Sequence, residues 1–282
     1  MSHYENIKQD VLKLSTPYQE EKKRKVFAEH IEHKLANFKP TVMIYGVYNA
    51  GKSTLVNAIF GQEELAKTGD TPETSKVSSY QYKGYTLYDT PGINAPIVHE
   101  EVTAQHLAKC ELVIFVLSND GSFEEAYIYE KIGELIQAKK PILIAMNNKS
   151  GIDIHGAKAQ QETAKVSQHL ATIGQRMGIA HAEEQVSIAF VDAKMALEGK
   201  LTNEAELIEE SNMPVFENMM DKLLGDAGHQ EVQQALNQYI TSYITDTLSC
   251  IDDKIDAPEI KRTQSMITDI EKMRQSVQIE IR

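Results

Sequence analysis

A chain of 282 residues, 41% hydrophobic and 25% charged, has the balance of a globular protein with room for one sizeable α/β domain and a smaller appendage. Its formal net charge of −12 argues against nucleic acid as a partner, and its two cysteines, Cys110 and Cys250, are too few and too far apart for a disulfide framework or a zinc site. No apolar run reaches the ~18 residues that a membrane span needs, and the polar start MSHYENIKQDVLKL lacks a signal-peptide pattern, so a cytoplasmic protein is expected.

Residues 18 to 38 place Phe27, Ile31, Leu35 and Phe38 on one helical face that ends before Pro40, with the basic run Lys22 to Lys25 on its solvated side. From residue 41 the period changes. TVMIYG is a short apolar strand, a Gly-rich turn follows, and Leu55, Val56, Ala58 and Ile59 begin a helix. SKVSSYQY and YTLYDT flank Lys83-Gly84 as a hairpin, ELVIFVL and PILIAMN are buried strands separated by a helical segment around 123 to 138, and VSIAFVDA is the last strand. This alternation predicts an α/β fold with a doubly wound, mostly parallel sheet, the hairpin adding one antiparallel edge strand. Beyond Gly225 the pattern is helical again: Val232, Leu236, Ile240, Tyr243, Leu248, Ile251 and Ile255 form one stripe, Pro258 interrupts, and Ile260, Ile267, Ile270, Met273, Val277 and Ile281 form another. Three regions are expected: a helical segment over 1–38, the α/β domain over 39–228, and a helical segment over 229–282. The two flanks are expected to pair in a small helical bundle, because each apolar stripe must be buried somewhere. The last helix runs to Arg282 without a stop signal, as in a longer protein cut there.

The chemistry concentrates in Gly46-Val47-Tyr48-Asn49-Ala50-Gly51-Lys52-Ser53, which fits G-x-x-x-x-G-K-[ST] and lies between a strand and a helix, the context that makes the motif a phosphate loop. Glycines let the backbone curl so that its N–H groups surround phosphates, the helix amino terminus favours negative charge, Lys52 adds a mobile cation, and Ser53 offers a hydroxyl to Mg²⁺. Tyr48, Asn49, Ala50, Gly51, Lys52, Ser53 and Thr54 are therefore candidates for holding a nucleoside triphosphate. Asp89-Thr90-Pro91-Gly92 follows at the end of an apolar strand, 37 residues after Lys52. There Asp89 would reach the metal through water and the Gly92 amide would meet the γ-phosphate. Within GDTPETS, Thr74 is the first choice for completing the metal shell, and Thr71 is the alternative.

The run GVYNAGKSTLVNAIFG, then Pro72-Glu73-Thr74, then DTPG resembles the Era/EngA/TrmE branch of translation-factor-type GTPases and its larger relatives, the bacterial dynamin-like proteins, LeoA-like ones included. That resemblance, carried by motifs between residues 42 and about 194, implies GTP and GDP as ligands and Mg²⁺ as cofactor. It also implies self-association across the nucleotide face and, for the dynamin relatives, work at a membrane or on a partner protein. It implies further that Asn49 helps hold a potassium ion against the phosphates, and that Lys52, Thr74 and Asn49 are the residues of catalysis. The family reads guanine with N-K-x-D, whereas here the run is Asn148-Lys149-Ser150-Gly151, and Gly151 has no carboxylate; Asp153 lies two residues on. The following S-A-[KL] loop is Asp192-Ala193-Lys194, whose Ala193 amide would face the guanine oxygen. Ile93 stands where Ras-type proteins orient water with glutamine, so intrinsic hydrolysis is expected to be slow. Two other readings remain open: a GTPase-fold assembly module that has lost nucleotide binding, and a P-loop kinase or ATPase.

Overall fold

The computed structural model describes residues 2–36, 39–66, 78–90, 107, 110–120, 122–226, 229–252 and 266–274. The chain divides into two compact units, Pro40–Ala227 on the one hand and Met1–Lys39 with Gly228–Arg282 on the other. The second unit opens with α1 (Ser2–Ser15) and α2 (Glu21–Ala36). The first of these helices carries little signal in the sequence, because Tyr4, Ile7 and Val11, at spacings of three and four, are diluted by polar neighbours. All three are buried. Along α2, Phe27, Ile31 and Leu35 face inward while Lys22, Lys23 and Lys25 face water; Phe38 lies outside the described residues.

The larger unit runs β1 (Thr41–Gly46), α3 (Lys52–Phe60), β2 (Ser78–Tyr82), β3 (Tyr85–Asp89), β4 (Leu112–Ser118), α4 (Ala126–Gln137), β5 (Ile142–Asn147), α5 (Ala157–Met177), β6 (Val186–Val191), α6 (Ala193–Thr202), α7 (Ala205–Glu210) and α8 (Met213–Asp226). Its strands form a six-stranded sheet of order β2-β3-β1-β4-β5-β6. Every neighbouring pair is parallel except β2 and β3, the hairpin at the edge. β1, β4 and β5 are buried along their whole length, which is why they read as unbroken apolar runs, whereas β2 alternates as a strand with one wet face does. β1 pairs with β3 on one side and β4 on the other, so the strand order reverses beside it. In an open α/β sheet that reversal leaves a crevice at the carboxyl end of the strand, where ligands bind. The long helix α5, buried through Val166, Leu170 and Ile173, is a further element that the strand pattern does not single out.

In the helical unit α9 (His229–Asp252) supplies the third apolar stripe, and residues 266–274 are also helical, with Ile270 buried. Phe27 is fully buried, its ring 4.1 Å from that of Tyr243 and 5.9 Å from that of Tyr239. Polar partners cross the interface between α1 and α9: the Tyr4 hydroxyl donates to Asn237 Oδ1 at 3.0 Å and the Tyr243 hydroxyl to Ser15 Oγ at 3.2 Å. Packing of this density makes Phe27 a sensitive site. Phe27→Ala should lower stability by about 3–5 kcal/mol, read from denaturant titration, and a loss below about 1 kcal/mol would mean that the ring is not part of a packed core.

Candidate functional site

The phosphate loop leaves β1 at Gly46, where φ is 144° and an added Cβ would come within 2.1 Å of the Val116 carbonyl oxygen on β4. A side chain there would push the neighbouring strand away. Gly51, at φ 96°, starts α3, and a Cβ on it would meet Asn147 Nδ2 at 2.1 Å. No side chain among the described residues caps α3, so its first amides stay available to a ligand at the end of the loop. Tyr48 and Asn49 are exposed at the tip, Asn49 in the left-handed region at φ 61°.

Lys52 is buried, and its Nζ donates to the carbonyl oxygens of Val47 at 2.8 Å and Gly46 at 3.3 Å. Burial lowers its pKa to about 8, against the weaker opposing pull of Asp89. Asp89, at the end of β3, is itself buried, and desolvation raises its pKa despite Lys52, the Ser53 hydroxyl and the Thr90 amide. Ser53 Oγ donates to Asp89 Oδ2 at 3.2 Å, while Asp89 Oδ1 is buried with no partner among the described residues. A hydroxyl beside a carboxylate with one oxygen unsatisfied is a set of hard oxygen ligands, and it fits a divalent cation of the kind that accompanies nucleotide phosphates. Thr74, Thr71, Gly92 and Ile93 lie outside the described residues.

Two loops from the carboxyl ends of β5 and β6 come up beside the phosphate loop. Asn147, which no sequence motif singles out, joins them: its Nδ2 donates to the Ala50 carbonyl at 3.0 Å and its Oδ1 accepts from the Ala193 amide at 3.2 Å. The Ala193 amide, expected to face a base oxygen, is thus already engaged. Asn148, expected to contact the base, also turns inward. Its Nδ2 donates to the Ile152 carbonyl at 2.9 Å and to Asp192 Oδ2 at 3.2 Å, and its Oδ1 accepts from Asn119 Nδ2 and the Ile152 amide, both at 3.1 Å. Those four bonds use the whole capacity of an amide side chain. Lys149 spans the gap, its Nζ 2.8 Å from the Asn49 carbonyl oxygen and 3.2 Å from Asp120 Oδ2. Asn119 Oδ1 accepts from the amides of Lys149 and Ser150, which sets the loop at that height. Asn119 and Asp120 also escape a reading of the sequence; their one signal is a polar pair at the carboxyl end of an apolar strand. Gly151 faces open space, Lys194 is exposed, and Asp153 is spent locally, its Oδ1 accepting from the His155 amide at 2.9 Å.

Residues 41–148 match the family described as 50S ribosome-binding GTPase. Over this stretch the α/β unit is similar to GTPases. GTPase Der of Ralstonia nicotianae is 28% identical over 179 residues, a stretch covering 55% of this chain and 39% of that protein, so the chain spans about two fifths of the length of this curated relative. Among solved structures, one of an oligomerised bacterial dynamin pair, described as a mechanism for long-range sensing and tethering of membranes, is similar with a TM-score of 0.55 at 16% identity, covering 99% of this chain and 51% of that one. LeoA, a bacterial dynamin GTPase from ETEC, is similar with a TM-score of 0.53 at 15% identity, covering 89% and 49%. At such identities the likeness is one of fold.

The geometry of this site makes Asn147 and Lys52 open to test. Asn147→Ala leaves a buried carbonyl and a buried amide without partners, each worth about 1–3 kcal/mol; it should lower the melting temperature and weaken triphosphate binding together, and unchanged binding would remove Asn147 from the site. For Lys52, the folded pKa of about 8 lies below the ordinary lysine value of 10.5, so the unfolded chain binds more protons between those pH values and the stability of the ligand-free fold rises with pH across that window. A bound phosphate reverses the balance by favouring the charged form. Triphosphate binding at pH 9 should therefore take up protons and weaken as pH rises above about 8, in calorimetry with two buffers of different ionisation heat. Lys52→Arg should abolish that uptake.

Proposed function

We propose that the α/β unit binds GTP and GDP with Mg²⁺, hydrolyses GTP slowly by itself, and serves as a dynamin-like switch that self-associates through its nucleotide face. The observation that carries this reading is the juxtaposition of a glycine-dependent phosphate loop, the buried Lys52 and the Ser53–Asp89 pair at the carboxyl end of β1. In this reading the amides from Tyr48 to Thr54 surround the phosphates, and Lys52 exchanges its two carbonyl partners for phosphate oxygens. Ser53, Asp89 and Thr74 would hold the metal. Gly92 offers its amide to the γ-phosphate, and Asn148, Lys149, Ala193 and Lys194 belong to the walls around the base. Mg²⁺ would supply neutralisation of charge on the β- and γ-phosphates. Water adds to the γ-phosphorus, the bond to the β–γ bridging oxygen breaks, and GDP and inorganic phosphate leave.

Charge gathers on the bridging and γ oxygens in the transition state, so groups fixed there lower the barrier more than they strengthen ground-state binding. A role for Asn49 in acting on that charge is supported by its exposure at the loop tip and by a side-chain amide that makes no hydrogen bond to a described residue. It would help hold a potassium ion, with the remaining oxygens coming from a switch segment ordered by a second copy of the chain. Among the described residues no helix is long and apolar enough to cross a membrane. A cytoplasmic protein acting peripherally at a membrane or on a partner protein completes the proposal, in keeping with what is said of the dynamin pair. The competing reading, an assembly module without nucleotide, is favoured by the open space at Gly151.

Calorimetric titration with GTP, GDP and ATP in Mg²⁺ decides between the two. Micromolar GTP binding that Lys52→Ala abolishes supports the switch, and no heat with any nucleotide overturns it. Hydrolysis should be faster in potassium than in sodium chloride at matched ionic strength, rise with protein concentration, and lose its potassium dependence in Asn49→Ala. Equal rates in both salts would leave Asn49 without a catalytic role.

A further inference from the structure

A guanine base presents two parallel donors, N1–H and the exocyclic amino group, and a single carboxylate matches both. Gly151 offers none, and the space where its side chain would stand is open. Lys149 reaches the phosphate loop at Asn49, and in the nucleotide-binding reading the base lies between the loops that follow β5 and β6. Three carboxylates belong to this neighbourhood. Asp120 is half-exposed and paired with Lys149 at 3.2 Å, and Asp153 is turned onto the His155 amide. Asp192 differs from both, being buried to 8% exposure, with Oδ1 accepting from the Met195 amide at 2.9 Å and Oδ2 from Asn148 Nδ2 at 3.2 Å. No cation pairs with it among the described residues. Each oxygen has one neutral donor, which leaves acceptor capacity on both.

A capping role alone does not require a carboxylate, since serine, threonine or asparagine would cap α6 as well. Asn148 explains how the carboxylate is held in place, because all four of its bonds go to Asn119, Ile152 and Asp192. We propose that Asp192 is the residue that selects guanine, the carboxylate having been moved from the loop after β5 to the loop after β6, with Asn148 as the positioning residue that holds it. This inference rests on the nucleotide-binding reading and adds its base specificity. A carboxylate here attracts guanine, and repels adenine, whose N1 is an acceptor, and xanthine, which has a carbonyl oxygen where guanine has its amino group.

The test is Asp192→Asn in the full chain, which keeps an oxygen for the Met195 amide, while its amide donates to the carbonyl of xanthine. Dissociation constants for GTP, ATP and XTP in Mg²⁺ are measured for wild type, Asp192→Asn and Asp153→Asn, with melting temperatures to show that both variants are folded. The expected result is a wild-type preference for GTP, and in Asp192→Asn a GTP affinity at least about tenfold lower together with a gain for XTP, because lost bonds to a charged group cost about ten- to a hundredfold each. Asp153→Asn should behave as wild type. A folded Asp192→Asn that keeps the wild-type order of GTP over XTP reduces Asp192 to a helix cap and overturns this inference while the nucleotide-binding reading stands. A shift in preference seen in Asp153→Asn instead assigns the base to that residue and overturns the inference equally. Absence of binding by wild type to every triphosphate overturns the nucleotide-binding reading and this inference with it.

Discussion

Two hydrogen bonds of one side chain organise the candidate site: Asn147 Nδ2 donates to the Ala50 carbonyl in the phosphate loop, and its Oδ1 accepts from the Ala193 amide at the start of α6. Each loop leaves the carboxyl end of a different strand and would otherwise depend on its own weak turn bonds for position. Because both bonds are buried, losing either strands a polar group away from water, so the arrangement tolerates little drift. The close approach has a covalent counterpart in Gly51, since any side chain there would collide with Asn147 Nδ2. The glycine of the motif is therefore required by the neighbouring loop as well as by its own turn.

The ligand-free electrostatics are consistent with a site organised for a charged guest. Lys52 is a buried ammonium group satisfied by two carbonyl oxygens, and Asp89 is a buried carboxylate with one oxygen unpartnered among the described residues. Both are displaced by burial toward their neutral forms, Lys52 downward and Asp89 upward. Phosphate and metal would each relieve one of these penalties, which is how a binding site stores part of its affinity in the unliganded fold.

Outside that site, the sheet and the helical unit rest on different physics. The central strands are covered on both faces and need only apolar bulk, so many sequences would serve them. The helical unit instead combines stacked rings around Phe27 with crossing bonds such as Tyr4 to Asn237, and such directional contacts fix one register of its helices where apolar packing alone would allow several.

The mostly parallel sheet, its antiparallel edge hairpin and the phosphate loop are legible in the sequence because each depends on short-range pattern: apolar runs a few residues long, turn residues between them, and a motif whose residues are consecutive. The stripe of α1 is hidden because three inward residues in a polar background carry little periodic signal. The loops that follow β5 and β6 are legible only in outline. Sequence spacing points to Asn148 and to the Ala193 amide, but Asn147 takes the bridging role and occupies that amide, and its partner Ala50 lies 97 positions away. A pattern confined to neighbouring residues carries no information about such a contact. What the sequence by itself determined is the chemistry available at the carboxyl end of β1; which asparagine ties the loops together, and which carboxylate is left buried beside them, was decided by the tertiary structure, because hydrogen bonds between loops follow from where the strands place them.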